Sequence, residues 1–258
     1  MDEKEEVTKL ADLLLKIPAD QRENLLAQAK IQVAEKEELG QIFDKQTEEL
    51  KKDCPPLIIT HALYLRDKAV EKAFLIWKEK YSDKTLQELV AIGIYPLIIV
   101  VPQESLGIGY QVGAMGARGK IADGEVKIPH FTDKNKTDGW VYYRWPHVIY
   151  FVEKGEKSEE KELQEIEKEI KERKREFLTV EETLALIRQT DLLSSDAYVL
   201  RFFYALGSKM CFDSSEGQYP YIAMSLFERS VRIRSALYSK FVSRDGIDLF
   251  PSRDCSGN

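Results

Sequence analysis

Ile94-Tyr-Pro-Leu-Ile-Ile-Val-Val101 is the stretch of sequence that decides the fold. It is apolar throughout, rich in β-branched side chains, and bounded by Gly93 and Pro102. A continuous apolar run of this kind, without helical spacing, is typical of a strand that is buried on both faces. We therefore predict a fully buried central strand that begins the core sheet.

The chain before this strand is predicted to be helical. Apolar residues recur at helical spacing over residues 20–53, and Pro55-Pro56 end the pattern because proline cannot continue the backbone hydrogen bonds of a helix. The apolar stripe is narrow and its flanks are charged. This region is therefore either a helical hairpin packed on the body or a protruding arm, and packing on the body is the expected arrangement.

Two further helices are expected before the buried strand. The first covers about residues 60–80, and the second is a short helix capped by Ser82 or Asp83. We therefore divide the chain into a helical N-terminal region, residues 1–82, and an α+β domain, residues 83–258.

The chain after the buried strand is predicted to form a mixed or antiparallel sheet with flanking helices. Aromatic and β-branched residues indicate strands at 140–145 and 147–152, and apolar runs indicate two more at 197–204 and 219–224. Residues 230–237 fit both alternation and helical spacing, and we interpret them as a strand. The fold class predicted from this order of elements is α+β.

Residues 154–176 are almost wholly charged, with apolar residues spaced by three, four and seven. The seam lasts barely two heptads, so a solvated helix laid on the domain is favoured over a coiled-coil zipper. Thr179 and Glu182 have the spacing of a capping box, in which each side chain bonds the backbone of the other residue, and this box predicts a helix start.

The charge balance argues against nucleic acid as a partner. The formal net charge is −6, whereas phosphate binding needs a surplus of Lys and Arg on one face. The N-terminal residues are acidic and lack the basic start and apolar stretch of a secretory signal, and the longest apolar run is too short to span a bilayer. We therefore expect a cytoplasmic protein with no membrane partner.

Cysteine and histidine usage gives no metal motif. The cysteines Cys54, Cys211 and Cys255 are scattered without Cys-x-x-Cys spacing, which favours three reduced thiols. The three histidines likewise lack any ligand spacing, and we expect no metal and no cofactor. His61 lies in a predicted helix, where a structural role is expected.

The glycine-rich segment 107–120 follows the buried strand, as a dinucleotide-binding loop would. Gly107-Ile-Gly109 is followed by a glycine one position too late for that motif, and Ile121 stands where a phosphate-binding loop needs a hydroxyl. Glycines serving turns and close strand packing are therefore the favoured interpretation. The alternative is a phosphate or another anion held near Arg118 and Lys120.

The aromatic block that follows the glycines supplies the remaining candidate ligand residues. Tyr142 and Arg144 share one face of a predicted strand and could form a stacking platform, although core packing is the default for such aromatics. His130, between a proline and a phenylalanine at a strand end, is the best-placed titratable residue for function.

Over residues 85–258 the order of motifs resembles an uncharacterised family of bacterial proteins, known as a domain of unknown function. The motifs that carry the resemblance are Tyr95-Pro-Leu-Ile-Ile-Val-Val-Pro102, Gly119-Lys120, Phe131, the aromatic strand pair, residues 178–187, Leu206-Gly-Ser208, Pro220-Tyr-Ile222 and Pro251-Ser-Arg-Asp-Cys255. The helical N-terminal third and the charged segment 154–176 depart from that family's pattern. The resemblance implies no assigned activity and no catalytic residue.

Three functions remain open from the sequence. The favoured one is a non-enzymatic binding or interaction module with an unidentified protein partner, because catalytic signatures are missing and charged helices are exposed. The alternative is an enzyme of unrecognised type with a small-molecule or phosphate-containing ligand near residues 107–120. The third is an oligomeric structural protein held together by self-association of the charged helices, residues 20–53 and 154–176.

Overall fold

The computed structural model of the chain describes residues 16–114, 120–121, 144–155, 163–190, 192, 200–208, 218–225, 230–237 and 246–254. In these residues the helices are α1 (Ala19–Lys51), α2 (Pro56–Tyr64), α3 (Arg66–Lys80), α4 (Leu86–Ala91), α5 (Ile108–Ala114), α6 (Leu163–Glu172) and α7 (Val180–Gln189). The strands are β1 (Ile94–Val100), β2 (Lys120–Ile121), β3 (His147–Glu153), β4 (Arg175–Phe177), β5 (Leu200–Tyr204), β6 (Gln218–Ser225), β7 (Ser230–Leu237), β8 (Gly246–Leu249) and β9 (Ser252–Asp254).

The strands form two sheets, and the prediction of an α+β fold with a helical N-terminal region is confirmed. The first sheet has the order β1-β3-β9-β4 and the second has the order β2-β7-β6-β5-β8. Antiparallel pairs hold the first sheet together, while β2 and β8 join the second as parallel neighbours. Both kinds of pairing therefore occur, as predicted.

The first sheet is buried on both faces. Alternate residues of β1 and its end, such as Leu97 and Val101, pack against side chains of α1 to α4. The intervening Ile98 and Val100 belong to a second cluster that includes α7 and strands of the second sheet. Side chains on a strand alternate between the two faces of the sheet, so one apolar run supplies both cores. This explains why the sequence of β1 is continuously apolar.

The position of β1 in the sheet differs from the prediction. It was expected to be central, yet it lies at the edge of the first sheet. Two glutamine side chains cover that edge: Gln46 Nε2 donates to the Leu97 carbonyl at 2.8 Å, and the Ile99 amide donates to Gln189 Oε1 at 3.0 Å. Gln46 Oε1 also accepts from the Ile99 amide at 3.2 Å, and Gln189 Nε2 donates to the Ile99 carbonyl. The amides thus take the place of a neighbouring strand.

We expect Gln46→Leu to lower the free energy of unfolding by about 1–3 kcal/mol, because it leaves the buried Leu97 carbonyl without its partner. The shape of the side chain is nearly kept, so packing changes little. Urea unfolding followed by circular dichroism measures the loss. Gln21→Leu, at an exposed position of the same helix, is the matched control and should change stability by less than about 0.5 kcal/mol. Equal stability of the two variants would contradict the role assigned to Gln46.

Helix α1 is divided into a buried half and an exposed half. Leu39, Phe43 and Leu50 are buried against the body, as expected for this region. Residues 21–34 are exposed almost throughout, so for this half the expected packing on the body is wrong and the protruding-arm alternative is right. The arm ends where Glu35 and Lys36 form ion pairs with α3.

The helix boundaries between α1 and β1 differ in detail from the prediction. The predicted helix over residues 60–80 is two helices divided at Leu65, and the first of them begins earlier than predicted, at Pro56, a first-turn position where proline is tolerated. The cap of α4 is Thr85, neither Ser82 nor Asp83. The Thr85 side chain accepts from the Glu88 amide and Glu88 bonds back to the Thr85 amide, which is a complete capping box.

The charged segment holds a shorter helix than predicted. Helix α6 ends at Glu172, and residues 175–177 form β4, which pairs with β9. The charge pattern predicted a helix that continues to residue 176. Residues 175–177 instead pair with β9 as a strand. Ile166 and Ile170 are buried in a cluster with Phe250, so the prediction of a helix laid on the domain is confirmed for α6.

The later elements follow the predictions closely. Thr179 caps α7 through the predicted capping box with Glu182. Strands occur at the predicted sites of β3, β5 and β6, and the ambiguous segment 230–237 is a strand. Of the predicted strand 140–145, Arg144 and Trp145 lie outside any strand, and the rest lies outside the described residues. In the part of the chain that the structure describes, no helix is long and apolar enough to cross a membrane.

Candidate ligand pocket

A cavity of about 480 Å³ lies where the two sheets meet. The loop before β1 and the end of β3 form one side of it, and β5 and β8 of the second sheet contribute the other. Its lining residues are Ile92, Gly93, Ile94, Glu153, Lys154, Gly155, Arg173, Leu192, Arg201 and Leu249. This volume falls in the range of about 300–1,000 Å³ that is usual for small-molecule sites.

Two glycines with left-handed backbone let the walls of the pocket approach each other. Gly93 has a φ of +81° and Gly155 a φ of +86°, a conformation that glycine adopts without strain. The Lys154 amide donates to the Gly93 carbonyl at 3.1 Å, which joins the start of β1 to the end of β3. A Cβ at Gly155 would lie 2.6 Å from the Phe250 backbone nitrogen. The backbone geometry of the pocket therefore depends on these glycines.

The charged lining of the pocket is mainly cationic. Among the described lining residues, three are cationic, Lys154, Arg173 and Arg201, and one is a carboxylate, Glu153, in a protein whose formal net charge is −6. Arg173 donates to Glu153 Oε1, and Arg175 Nη1, behind the pocket, lies 3.5 Å from the same oxygen. The carboxylate is therefore shared between two guanidinium groups.

The rest of the lining is largely apolar. Leu192 and Leu249 are buried, Ile94 is partly buried, and Ile92 is exposed at 58% of its surface. Leu249 is the last residue of β8, whose parallel pairing with β5 sets it opposite Phe203. An apolar lining with a few charged groups is the usual composition of a site that binds an organic molecule.

A network of buried charged residues lies behind the pocket and fixes β4 and β9. Arg253 Nη2 donates to Glu176 Oε2 at 2.8 Å, and its Nε lies 3.2 Å from Glu182 Oε1. Lys80 Nζ donates to both carboxylate oxygens of Asp254 at 2.7 and 2.8 Å, which ties α3 to β9. Glu176 and Asp254 accept charge-assisted hydrogen bonds and Glu182 forms an ion pair, so the network is organised for structure.

Arg175 has the most extensive contacts in this network. Its side chain is 3% exposed, its Nε donates to Ser252 Oγ at 2.9 Å, and its Nη2 donates to the Phe151 carbonyl at 2.6 Å and the Ser252 carbonyl at 2.9 Å. Phe151 has a φ of +45°, which is rare for an aromatic residue in a strand. The guanidinium group therefore holds β3 and β9 where β3 is distorted.

His147, which begins β3, lies in the field of the same carboxylates. Both of its ring nitrogens are shielded from solvent. Burial lowers the pKa of the imidazole below its ordinary value of 6.5, and Arg253 lowers this pKa further, whereas Glu182 and Glu181 act to raise it. The neutral imidazole is therefore the form that the fold favours.

We expect the free energy of unfolding to decrease as the pH is lowered below about 6.5. The unfolded chain takes up a proton at the ordinary pKa, whereas folded His147 takes it up only at a lower pH, so protons favour the unfolded state between the two pKa values. Urea unfolding at pH 7.5 and pH 5.5, conditions chosen about one unit either side of that pKa, measures the difference. It should be smaller in His147→Gln. An equal difference in the two proteins would contradict this prediction.

The structure places only part of the predicted site. Arg118, His130 and Tyr142 lie outside the described residues, and of Lys120 only the backbone is described, in β2 opposite Arg232. Arg144 is exposed, and its carbonyl accepts a hydrogen bond from Ser105. Arg144 is not among the residues that line the pocket. The grouping of these five residues in one site stays a prediction.

The other residues singled out in the sequence have structural surroundings where they are described. His61 stacks on Trp145 with ring centroids 4.1 Å apart. Cys54 is a buried free cysteine, and burial raises the pKa of its thiol. A Cβ at Gly107 or Gly113 would meet no atom within 4 Å, so close packing does not account for these two glycines. Of the described residues 107–114, none lines the pocket.

Sequence reasoning missed the three cations of the pocket. Lys154 and Arg173 lie at opposite ends of the segment interpreted as a solvated charged helix, and Arg201 lies in an apolar strand. These three side chains come together because residues 175–177 form β4 instead of continuing the helix, and because the two sheets meet at the pocket. No local motif records it. The isolated Arg201 within Leu200-Arg-Phe-Phe-Tyr204 was the available signal, because a charge in a mostly apolar strand often marks a site.

Among the described residues, no three or more His, Cys, Asp or Glu side chains come together in a way that could hold a metal ion. Comparisons with protein-family models, with curated proteins and with solved structures found no match to this chain. The resemblance to a bacterial family of unknown function therefore stays a prediction. The functional interpretation depends on the geometry of the pocket.

Proposed function

We propose that the protein is a non-enzymatic binding module that holds a small molecule in the pocket between its two sheets. The observation that supports this most is the cavity of about 480 Å³ with a mixed cationic and apolar lining. Apolar surface supplies affinity, and a few charged groups supply orientation and specificity. No catalytic step is needed to explain this lining.

The pocket is built on elements that other contacts already hold in place. Residues 94–100 of β1 pair with residues 147–153 of β3 along their whole length. Leu249 is held by the parallel pairing of β8 with β5, and the Gly93 carbonyl is bonded to the Lys154 amide. A preformed site loses less conformational entropy when a ligand binds, and this raises the affinity for the ligand.

A thermal-shift screen of small molecules, followed by calorimetry, tests this proposal. A ligand at about a hundred times its dissociation constant stabilises the folded state by about 2.7 kcal/mol. Ile92→Trp, at the exposed edge of the pocket, should reduce the shift. Leu75→Trp is the matched control, since Leu75 is 58% exposed like Ile92 and lies outside the lining. A screen without any ligand, or a shift that Ile92→Trp leaves unchanged for every ligand, would contradict the proposal.

The exposed arm of α1 supports a second candidate function, self-association with a second copy of this chain. Leu25, Leu26 and Val33 lie within about one third of the helix circumference, and each is at least 44% exposed. An antiparallel pair of arms would cover both stripes in one symmetric contact, which is the commonest arrangement of dimers.

Sedimentation equilibrium over a range of concentrations tests self-association. The double variant Leu25→Glu and Leu26→Glu should shift the average mass towards the monomer. Leu57→Glu, at an exposed residue of α2, is the control and should leave the average mass as in the wild type. A monomer mass for the wild type at the highest concentration would contradict self-association through this stripe.

A further inference from the structure

The cations of the pocket come from three separate parts of the chain. Lys154 directly follows β3, Arg173 directly follows α6, and Arg201 lies within β5. Surface cations scattered by chance point into solvent in different directions, whereas these three line one cavity. Like charges so close together repel one another, and an anion placed between them relieves that repulsion.

Among the described residues of the lining there is one carboxylate, that of Glu153. Glu153 is 13% exposed and already bonds Arg173, and Arg175 also lies within ion-pair distance of it. Among the described residues, Lys154 has no carboxylate within ion-pair distance. The described part of the lining thus brings three cations to one carboxylate that two guanidinium groups already share, in contrast to the acidic protein as a whole.

Local contacts restrict the positions of two of the cations. The side chain of Lys154 lies against Gly93, where an added Cβ would be 2.6 Å from Lys154 Cε. Arg201 Nη1 donates to the Leu192 carbonyl at 3.3 Å, so its guanidinium group is anchored to the pocket wall. Cationic groups held in this way lose less side-chain entropy when they bind an anion.

We propose that the ligand of this pocket is a small organic oxyanion, a carboxylate or a phosphate ester with an apolar body. The guanidinium groups and Lys154 bind the oxyanion, for which planar guanidinium groups have matching geometry. The apolar body lies against Leu192, Leu249 and Ile92. This inference rests on the proposed function, because it names the class of ligand for the same pocket.

Four probe compounds measure separately how much the oxyanion and the apolar body contribute to binding. Octanoate and octyl phosphate carry an oxyanion and an apolar body, 1-octanol carries the body alone, and inorganic phosphate carries the anion alone. Titration calorimetry of the full-length protein at low salt measures each dissociation constant. We expect octanoate or octyl phosphate to bind at least about tenfold more tightly than 1-octanol and inorganic phosphate. The tighter of the two oxyanions distinguishes carboxylate from phosphate ester.

Charge-neutral variants locate the anion. Lys154→Gln and Arg201→Gln should each weaken the tighter probe about tenfold and should leave the binding of 1-octanol unchanged. Lys171→Gln is the control at an exposed cation outside the lining, and it should bind the probes as the wild type does. Lys154→Gln keeps the test valid if Arg201→Gln lowers the stability of β5.

The possible failures separate the ligand class from the proposed function. If 1-octanol binds as tightly as octanoate, or if a neutral compound from the screen binds with Lys154→Gln unchanged, the ligand is not an oxyanion but the pocket remains a binding site. If cationic compounds bind most tightly, the ligand class is likewise wrong. If neither the four probes nor the screen yields any ligand, the proposed function fails together with this inference.

Discussion

Replacing Arg175 with methionine lowers the free energy of unfolding by about 3–5 kcal/mol, the loss expected when one member of a buried ionic network is removed. The guanidinium group donates to Ser252 Oγ, to the Ser252 carbonyl and to the Phe151 carbonyl. Methionine fills much of the same space but donates no hydrogen bond. Two buried carbonyl groups then lose a donor, and the Glu153 carboxylate loses a neighbouring positive charge.

Urea unfolding of three variants tests the role of Arg175. Arg175→Lys keeps the charge but cannot reach several acceptors at once, so it should recover part of the loss. Arg173→Met is the matched control, because the Arg173 side chain is 52% exposed and an exposed ion pair contributes about 0–1 kcal/mol. If Arg175→Met and Arg173→Met are destabilised equally, the buried network does not fix the first sheet.

Replacing Gly155 with alanine is expected to lower the free energy of unfolding by about 2–4 kcal/mol, combining backbone strain with steric overlap. The φ of +86° is unfavourable for alanine, and the new Cβ would lie 2.6 Å from the Phe250 nitrogen. That atom belongs to the backbone between β8 and β9, so it cannot move without displacing the second wall of the pocket. Ligand binding in the pocket should weaken as well.

For Gly113→Ala we do not expect the free energy of unfolding to decrease. Gly113 lies in α5, and an added Cβ there would meet no atom within 4 Å. Alanine is more favourable than glycine in a helix by about 1 kcal/mol, so this variant should be as stable as the wild type or more stable. Thermal unfolding measures both changes. A Gly155→Ala protein with wild-type stability would show that the backbone at residue 155 rearranges without cost.

The parts of the fold that depend on local sequence were predictable. The capping box of Thr179 and the burial of β1 on both faces follow from patterns within about ten residues. The capping box of Thr85 has the same pattern, but Ser82 and Asp83 offered competing caps nearby. Only Thr85 has a glutamate three residues on, so the capping-box pattern ranks it above both neighbours and this cap was predictable from the sequence.

The position of β1 in its sheet and the pocket were not predictable from local patterns. A strand buried by helices and a strand buried between two other strands have the same continuous apolar sequence. What distinguishes them here is a pair of glutamines at positions 46 and 189, which carry no signal by themselves. The pocket depends in the same way on residues 154, 173 and 201, which meet only after both sheets have formed.

The glutamine cover of β1 has a consequence for the order of events during synthesis of the chain. Gln46 is made before β1, but Gln189 follows Ile99 by 90 residues. While the ribosome adds those residues, the apolar strand presents part of an uncovered edge, and such edges template pairing between chains. Slow elongation through residues 100–189 would therefore favour aggregation of nascent chains, and chaperone demand should peak in that interval.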